Sequence, residues 1–511
     1  MQKGSKKSAN LFKNGVPILQ EKFNLELFLA ETISKNNGSL FQQIYENLRQ
    51  AILSNQLRSG FQLPSTRSLA RDLRVSRNTV MTVYEQLIAE GYLESKLGAG
   101  TFVAKDIPTD LLKKARAKKA TKISLERPIS KRIQPYLEIS YTFTSIPNKP
   151  RAFQTGFSAL DEFPIEIWTR IASRRLRTMP KNRLDYCEPS GYQPLREEIA
   201  GYLAASRGVR CEANQIIITA GSQQALDLSA RVLLDADDEV WIEDPNYIGA
   251  KGALLGAGAK LKYVPLDAEG LSVEIGKKIS PKAKLVYVTP SHQFPLGVVM
   301  NLSRRLELLE WANQNSAWII EDDYDSEFRY QGKPLMALQG LDNENRVIYV
   351  GTFSKVLFPS LRLGYLVVPN DLVEVFSKTL SFISNHSPMP EQVVLTDFIR
   401  EGHFGRHIRR MRNFYAERQQ ILINAINSEL SEYLEVKDDV AGMHLIAWLK
   451  NGLSDKKLAE KALNFGVYTP PLSFYCSQTN LPDAFLLGYT GIGSDEILSG
   501  VKNLRKMFES L

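Results

Sequence analysis

Two different hydrophobic patterns divide this chain of 511 residues, and no single domain accommodates both. From about residue 150, short β-branched runs alternate with stretches of helical spacing, which is typical of βα units and a mainly parallel, buried sheet. The runs lie at 215–219, 239–243, 284–289, 317–321, 347–350 and 364–368. Before residue 105 the pattern predicts helix, helix, turn, helix and hairpin. We therefore expect an α/β protein that carries a small N-terminal domain.

The charge of the chain is unevenly distributed. The whole sequence carries +8 at pH 7, yet residues 1–135 alone carry +12 and residues 136–511 carry −4. The stretch 105–135 contributes +7 and lacks sustained apolar periodicity, so we expect a basic linker over 105–149, with helical potential near 110–119. A basic part joined to a slightly acidic part indicates a nucleic-acid-binding module, although a solvated basic surface is the alternative.

Several classes of protein are excluded by composition. The 43% hydrophobic and 23% charged residues are ordinary for a globular protein, which excludes a fibrous or largely disordered chain. Three cysteines, Cys187, Cys211 and Cys476, form no CxxC pair and are too few for a disulfide framework. We find neither an apolar run of about 18 residues nor a secretory signal, so we expect a cytoplasmic protein without membrane contact.

The N-terminal pattern predicts a helix-turn-helix with a β wing. Ser65 and Ser76 are good N-caps, and Arg77 would open a recognition helix whose first turn enters the major groove. Arg77 suits a guanine edge or a phosphate, and Arg67 suits a backbone phosphate. The candidate DNA-binding residues are Ser65, Arg67, Ser76, Arg77, Asn78, Thr79, Lys96, Gly98 and Gly100.

Four linked motifs in this region resemble the winged helix of GntR-type regulators. They are Leu63-Pro64-Ser65-x-Arg67, Val75-Ser76-Arg77-x-Thr79-Val80, Leu87-x-x-Glu90-Gly91 and Gly98-x-Gly100-Thr101. The resemblance implies binding of double-stranded DNA over residues 37–104, preceded by an N-terminal arm at 1–36. A winged helix used only for protein contact is the alternative.

The second module places reactive side chains after its predicted strands, where open α/β sheets bind ligands. Lys355 follows the run at 347–350, and a buried lysine with a lowered pKa is able to form a Schiff base. Thr352 and Arg362 beside it suit phosphate oxygens. A carboxylate at 321–323 would pair with a pyridinium nitrogen. Gly221-Ser222-Gln223-Gln224 opens a helix and predicts an anion site.

In this order, these groups resemble the fold-type-I aminotransferases, which bind pyridoxal 5′-phosphate (PLP). The resemblance implies a Schiff base between Lys355 and PLP, with Asp322 on the pyridine nitrogen and Tyr324 on O3′. It implies Ser222, Gln223, Thr352 and Arg362 around the phosphate, with Tyr247 against the ring. Tyr186 resembles the tyrosine that reaches a phosphate across a dimer interface.

Taken together, the chain from about residue 25 resembles the MocR/GabR-type regulators, in which a GntR winged helix is fused through a long linker to an aminotransferase-like domain. Further matching stretches are PSHQFPLG (290–297), EDDYDSEFRY (321–330) and HIRRMRNFYAER (407–418). The resemblance implies an effector domain over 150–511 with a smaller C-terminal α+β subdomain. It also implies a homodimer and an operator with two half-sites.

Two departures from the aminotransferase pattern bear on chemistry. Phe294-Pro295-Leu296-Gly297 replaces Asn-Pro-Thr-Gly, and His292 is a candidate substitute for that asparagine, a packed histidine being the alternative. Leu486 stands where an arginine usually clamps the substrate carboxylate, so an ordinary α-amino acid would be held less well. We therefore expect a PLP-dependent regulator that senses a small amine, an amino acid or PLP itself. A working aminotransferase and a sensor of PLP without further chemistry are the alternatives.

Two smaller expectations concern the C-terminal third. The segment 381–392 predicts a break before one long helical stretch over 391–430. His403 and His407 have helical spacing suitable for a metal pair, but no carboxylate or cysteine joins them, so we expect no metal site.

Overall fold

The computed structural model describes residues 39–105, 130–139, 151–332 and 335–511. The chain divides into two compact units, Met1–Arg127 and Pro128–Leu511. The predicted arm at 1–36 and the predicted helical stretch near 110–119 lie outside the described residues. Within the described ranges, no helix is long and apolar enough to cross a membrane.

The first unit has the predicted order of three helices followed by a hairpin. Its elements are α1 Leu40–Leu53, α2 Thr66–Asp72, α3 Arg77–Ala89, β1 Leu93–Lys96 and β2 Gly100–Val103. The strands are antiparallel, with Leu93 opposite Val103 and Lys96 opposite Gly100. The apolar side chains of α3 are buried in one cluster with Leu48 and Leu69, which gives this small unit its own core.

The second unit is built on an eight-stranded sheet in the order β3-β10-β9-β8-β7-β4-β5-β6. The strands are β3 Ile216–Thr219, β4 Glu239–Asp244, β5 Lys260–Asp267, β6 Gly270–Leu271, β7 Leu285–Val288, β8 Trp318–Asp323, β9 Val347–Thr352 and β10 Gly364–Val367. All six β-branched runs form strands here, which confirms the prediction. Most central pairs are parallel, whereas β10 runs antiparallel to both of its neighbours.

Helices cover both faces of this sheet. They are α4 Gln134–Glu138, α5 Ile165–Thr178, α6 Gln193–Arg207, α7 Ser222–Leu233, α8 Ile248–Gly256, α9 Val273–Ile279, α10 Leu302–Gln314, α11 Leu338–Leu341, α12 Val373–Ser384, α13 Met389–Arg400 and α14 His403–Glu429. Because side chains alternate along a strand, Ile348 packs against α7 and α12 while Tyr349 packs on the opposite face. The strands are therefore buried on both sides, as their near-continuous apolar runs predict.

A smaller α+β part completes the chain, as predicted. Its elements are β11 Leu434–Val436, β12 His444–Leu449, α15 Asp455–Leu463, β13 Ala484–Gly488 and α16 Ser494–Glu509, and the three strands form one antiparallel sheet. Helices α14 and α16 pack on this sheet through a shared apolar cluster.

The long helical stretch expected over 391–430 is helical in the structure, but it is divided in two. The structure has two helices, α13 and α14, because Gly402 adopts a left-handed φ of 76° between them. The expected break at 381–392 is also shorter than predicted, since α12 continues to Ser384 and α13 begins at Met389.

Part of the predicted basic linker is ordered on the second unit. Residues 131–138 form a short turn and α4, which pack against α8. The ring of Tyr136 lies so close to Gly256 that a Cβ there would collide with its hydroxyl. The missing side chain of Gly256 therefore makes room for this segment.

Candidate functional site

The recognition helix α3 begins where the sequence predicts. Ser76 Oγ accepts a hydrogen bond from Thr79 N at 3.1 Å and also lies 3.1 Å from Thr79 Oγ1. Ser65 caps α2 in the same way, accepting from Ser68 N at 3.1 Å. The hydroxyls of Ser65 and Ser76 therefore already cap helices, which orients the residues that follow them.

Exposed arginines follow both caps. Arg67, Arg77 and Asn78 are exposed, and neither arginine has a carboxylate within 4.0 Å among the described residues. Arg71, in contrast, lies 3.4 Å from Asp72. An unpaired guanidinium at a helix N-terminus suits phosphate or a guanine edge.

The wing presents a glycine turn. Gly98 and Gly100 have φ angles of 74° and 112°, which a residue with a Cβ rarely adopts. Lys96 lies 3.2 Å from Glu94 and 5.0 Å above the ring of Phe102, so its charge is partly matched within the hairpin.

The second site is a cleft of about 290 Å³ at the carboxyl ends of the central strands. Eight of the ten cofactor-binding residues predicted from the sequence line it, namely Ser222, Gln223, Tyr247, Asp322, Tyr324, Thr352, Lys355 and Arg362. His292 and Tyr186 do not. The strand order brings these residues together, although they are spread over 141 positions of the sequence.

Lys355 is a half-buried residue of this cleft. Its Nζ donates a hydrogen bond to the carbonyl oxygen of Gly156 at 2.9 Å. Burial lowers the pKa of Lys355, and the charges of Asp325 and Asp322 only partly oppose that effect. A lowered pKa favours the neutral amine, which is the nucleophilic form.

Asp322 faces the same cleft with one unpaired oxygen. Its Oδ2 accepts a hydrogen bond from the Tyr287 hydroxyl at 2.8 Å, whereas Oδ1 is buried and has no partner among the described residues. Burial raises the pKa of Asp322 to about 7, against the hydrogen bond from Tyr287. A buried acceptor without a partner is costly, and a protonated ring nitrogen would satisfy it.

An anion cradle lies across the cleft. Ser222 is the first residue of α7, and Gly221 before it has a φ of 94°. Arg362 donates to the Ala220 carbonyl oxygen at 2.7 Å, and a Cβ on Gly221 would lie 3.3 Å from its guanidinium. The helix N-terminus and this arginine together suit a phosphate. Gln223 donates to the Gly249 carbonyl oxygen at 2.8 Å and so fixes the start of α8.

His292 lies behind the cleft. Its Nδ1 is 2.9 Å from Asp325 Oδ2 and 3.1 Å from the Tyr324 hydroxyl, and its Nε2 is 3.2 Å from Asp439 Oδ2. Burial lowers the pKa of His292, but the carboxylates of Asp325 and Asp439 outweigh burial and raise it to about 10. The geometry thus favours a packed, charged histidine that holds Tyr324 over direct cofactor contact.

Tyr186 lies away from the cleft of its own chain. It is 82% exposed, and its ring centroid is 6.5 Å from that of His386. Its proposed reach across a dimer interface stays a prediction.

Three residues of the site were missed by sequence reasoning. Tyr287 carries the one polar side-chain group in the apolar run LVYV, so the sequence did contain a signal for this residue. Asp325 follows EDDY directly and escaped notice beside three other acidic residues. Gly156 has no local signal, because it lies 199 residues before Lys355.

Leu486 belongs to the apolar core. It is 0% exposed and packs in a cluster with Leu472 and Ala484 beside Phe294 and Tyr475. Among the described residues that line the cleft, Arg362 is the one arginine, and it belongs to the anion cradle. The carboxylate clamp of aminotransferases therefore has no counterpart on this strand.

The two helical histidines contact other partners. His407 Nε2 lies 3.0 Å from the Val356 carbonyl oxygen, and burial lowers its pKa to about 4. His403 lies 3.0 Å from Arg406. In the described ranges, no group of three or more metal-binding side chains is close enough to hold an ion.

A winged helix with unpaired arginines and a cleft that unites a lysine, a carboxylate and an anion cradle define a DNA-binding protein with a fold-type-I, PLP-binding domain. Residues 40–103 match the family described as "Bacterial regulatory proteins, gntR family", and residues 158–483 match "Aminotransferase class I and II". The unpaired Asp322 Oδ1, the amine of Lys355 with its lowered pKa, and the cradle fit PLP, which is the cofactor of this fold.

Proteins similar to this chain support both the DNA-binding and the aminotransferase-like assignment. The chain is 41% identical to "Probable rhizopine catabolism regulatory protein MocR" of Rhizobium meliloti, over 92% of this chain and 94% of that protein. A kynurenine aminotransferase from Pyrococcus horikoshii superposes with a TM-score of 0.66 at 30% identity, covering 78% of this chain and 99% of that one. The α-aminoadipate aminotransferase LysN of Thermus thermophilus gives 0.67 at 28% identity, with 74% and 97% coverage. The chain belongs to the MocR-type transcriptional regulators, which bind DNA through a GntR domain.

Proposed function

We propose that this regulator senses a small amine or amino-acid effector, or PLP itself, at Lys355 and changes its affinity for operator DNA in response. The observation that carries the proposal is the state of Lys355. Its side chain is half-buried, desolvation lowers its pKa, and its Nζ has an alternative partner in the Gly156 carbonyl oxygen. The lysine is therefore suited to a site in which it holds the cofactor and is released from it.

The residues of the cleft have separable roles in this proposal. When bound, PLP supplies an aldehyde that reacts with primary amines. Asp322 holds a proton at the ring nitrogen through its unpaired Oδ1, and Tyr324, held by His292, donates a hydrogen bond at O3′. Arg362 and the first turn of α7 bind the phosphate. Together these contacts would fix the cofactor in one orientation.

The effector acts on DNA binding only through its different affinity for two arrangements of the protein. Lys355 would hold the cofactor in one arrangement, and in the other its Nζ would donate to the Gly156 carbonyl oxygen, so the two arrangements differ in the contacts of this side chain. We propose that this difference determines whether the effector raises or lowers the affinity for operator DNA, and by how much.

A homodimer with two operator half-sites belongs to the same proposal. Large apolar side chains are exposed at Leu184, Tyr186 and Phe382. The ring of Tyr186 contacts that of His386, so the loop at 184–186 lies close to the end of α12, which carries Phe382. An exposed apolar patch is typical of an interface, and paired winged helices bind half-sites spaced by helical turns. Because it regulates transcription, we place the protein in the cytoplasm.

The proposal is tested with the full chain, loaded with cofactor, and an operator fragment isolated from the DNA that flanks its gene. A panel of primary amines and amino acids is screened for changes in DNA affinity by fluorescence anisotropy, with N,N-dimethyl analogues as matched controls. We expect a primary amine to shift the affinity while its dimethyl analogue does not. Lys355→Ala should bind the operator but lose the response.

An equal response in Lys355→Ala would overturn the proposal. A working aminotransferase is distinguished by a second measurement, the steady-state production of a keto acid from an amino donor. We expect none above the rate with Lys355→Ala, because Leu486 replaces the carboxylate clamp.

A further inference from the structure

A second pocket of about 220 Å³ lies beside the cofactor cleft. The two cavities share Ile248 and Tyr475 as walls. The polar side chains that line the second pocket come from Asn246, Lys251, Lys456, Ser473 and Ser477. None of these side chains has a role in the function proposed above.

Hydrogen-bond donors converge in this pocket. Ser477 Oγ accepts from Lys251 Nζ at 3.2 Å and from Asn246 Nδ2 at 3.4 Å. Because both lone pairs of the hydroxyl are engaged, its own proton is available to another acceptor. The Lys251 ammonium likewise has three donors, of which Ser477 takes one.

The two lysine ammonium groups of the pocket form no direct ion pair with a neighbouring acid. Neither Lys251 nor Lys456 has a carboxylate within 4.0 Å among the described residues. The nearby carboxylates serve the backbone instead. Asp244 accepts from the amides of residues 477–479, and Asp455 accepts from the amide and hydroxyl of Ser473. Two ammonium groups and a hydroxyl therefore face the pocket as an anion-binding set.

Asn246 adds a complementary feature. Its Oδ1 is buried and has no hydrogen-bond partner among the described residues. An unpaired buried acceptor favours a ligand that carries a donor next to its negative charge. A protonated phosphate or an acid that bears an amine has this combination.

The remaining wall of the pocket belongs to the part of the predicted basic linker that the structure describes. Ile139 lines it and directly follows α4, which packs against α8. Lys251 lies on the same helix α8, and Tyr136 packs on Gly256 at its end. A ligand between Lys251 and Ile139 would therefore contact both the effector domain and the linker segment 130–139.

We infer that Lys251, Lys456 and Ser477 form a second anion-binding pocket, for a small carboxylate- or phosphate-type anion that bears a hydrogen-bond donor, and that its occupation strengthens the docking of residues 130–139 on α8. Anion binding itself does not depend on the function proposed above. Only the possibility that the anion is the acidic group of an effector rests on that function. The anion is either a separate small molecule or the acidic group of an effector whose amine lies in the cleft.

The site is tested by isothermal titration of the cofactor-loaded full chain with inorganic phosphate, since bound cofactor fills the cradle at Arg362. We expect saturable binding that the double variant Lys251→Ala/Lys456→Ala weakens by about tenfold or more. Lys457→Ala, an exposed lysine on the same helix as Lys456, is the matched control and should bind as the natural chain does. No saturable binding, or an equal loss in the control, would overturn the site.

The linkage to the linker is tested by hydrogen exchange over residues 130–139. Phosphate should slow this exchange in the natural chain and leave it unchanged in the double variant. Gly256→Ala displaces Tyr136 while favouring the helix, so it should speed the exchange and weaken phosphate binding without unfolding the protein. If phosphate does not change hydrogen exchange over residues 130–139 in the natural chain, the linkage between the pocket and this segment is wrong.

Competition identifies the source of the anion. If an effector with an acidic group displaces phosphate while its methyl ester does not, the anion is part of the effector. If phosphate and the effector bind independently, the anion is a separate molecule. If Lys355→Ala loses the effector response but still binds phosphate, both proposals are supported. If the natural chain binds phosphate but responds to no effector, the proposed function is wrong and the anion pocket is still supported.

Discussion

The hydroxyl of Tyr287 lies 2.8 Å from Asp322 Oδ2 and leaves Oδ1 of the same carboxylate facing the cleft without a partner. Asp323, the next residue of β8, also has a buried Oδ1 without a partner among the described residues, but its Oδ2 accepts from Tyr349 at 2.6 Å and from Arg207 at 2.8 Å, and the residue does not line the cleft. Strand alternation thus sends one acid to the cleft and its neighbour into the core. Two tyrosine–aspartate pairs of similar burial therefore have different roles.

This contrast gives the first prediction. Tyr287→Phe removes a hydrogen bond to a charged acceptor, which is worth about 1.5–3 kcal/mol, so we expect PLP affinity to fall by about tenfold or more. Spectrophotometric titration of the cofactor measures the change. Tyr349→Phe is the control, because it removes the corresponding bond to Asp323 and should lower stability without changing the affinity. Equal losses of PLP affinity in both variants would show that Tyr287 acts only through stability.

The second prediction concerns DNA recognition. Arg77→Ala should weaken operator binding by about 1–3 kcal/mol and non-specific binding by less, if the guanidinium reads a base edge. Arg71→Ala, whose guanidinium already pairs with Asp72, should change both affinities little. Anisotropy titrations on operator and scrambled duplexes at one salt concentration measure both. Equal loss on the two duplexes would reduce Arg77 to a phosphate contact.

The third prediction is a pH dependence. The pKa of folded His292 is about 10, above its unfolded value near 6.5, so its stabilisation is full below pH 6.5 and is lost as pH rises towards 10. Asp439→Asn removes one of the two carboxylates and still accepts from Ala441 N. The natural chain should therefore be more stable than this variant at pH 6, and the difference should shrink towards pH 10. Urea unfolding at several pH values measures it.

The matched control for that experiment is Asp438→Asn, an exposed neighbour. It should leave the free energy of unfolding nearly unchanged at every pH. A constant difference between the natural chain and Asp439→Asn from pH 6 to 10 would contradict a charged His292.

The fourth prediction tests the role of Leu486. Leu486→Ala leaves a cavity in a fully buried cluster and should lower the free energy of unfolding by about 2–5 kcal/mol. Leu302→Ala, at an exposed leucine of α10, should cost about 0.5 kcal/mol or less. Neither variant should change PLP affinity, because neither side chain lines the cleft. A large loss of PLP affinity in Leu486→Ala alone would place this residue in the functional site.

Local patterns predicted the modules well because their causes are local. Ser76 caps its helix through an amide three residues away, and the β-branched runs form strands because buried parallel strands require them. The same reasoning failed at Gly402. Nothing in the apolar spacing of 391–430 shows that this glycine turns left-handed and divides the helix.

The sequence by itself therefore determined the two modules, the position of Lys355 directly after a strand and the absence of an arginine at Leu486. Only the tertiary structure decided that Tyr287 binds Asp322, that Gly156 holds the lysine, and that His292 lies behind Tyr324. Hydrogen bonds and charge effects act over a few ångströms of space, whereas their partners here lie up to 199 residues apart. Contacts of that kind exist only once the sheet has brought its strand ends together.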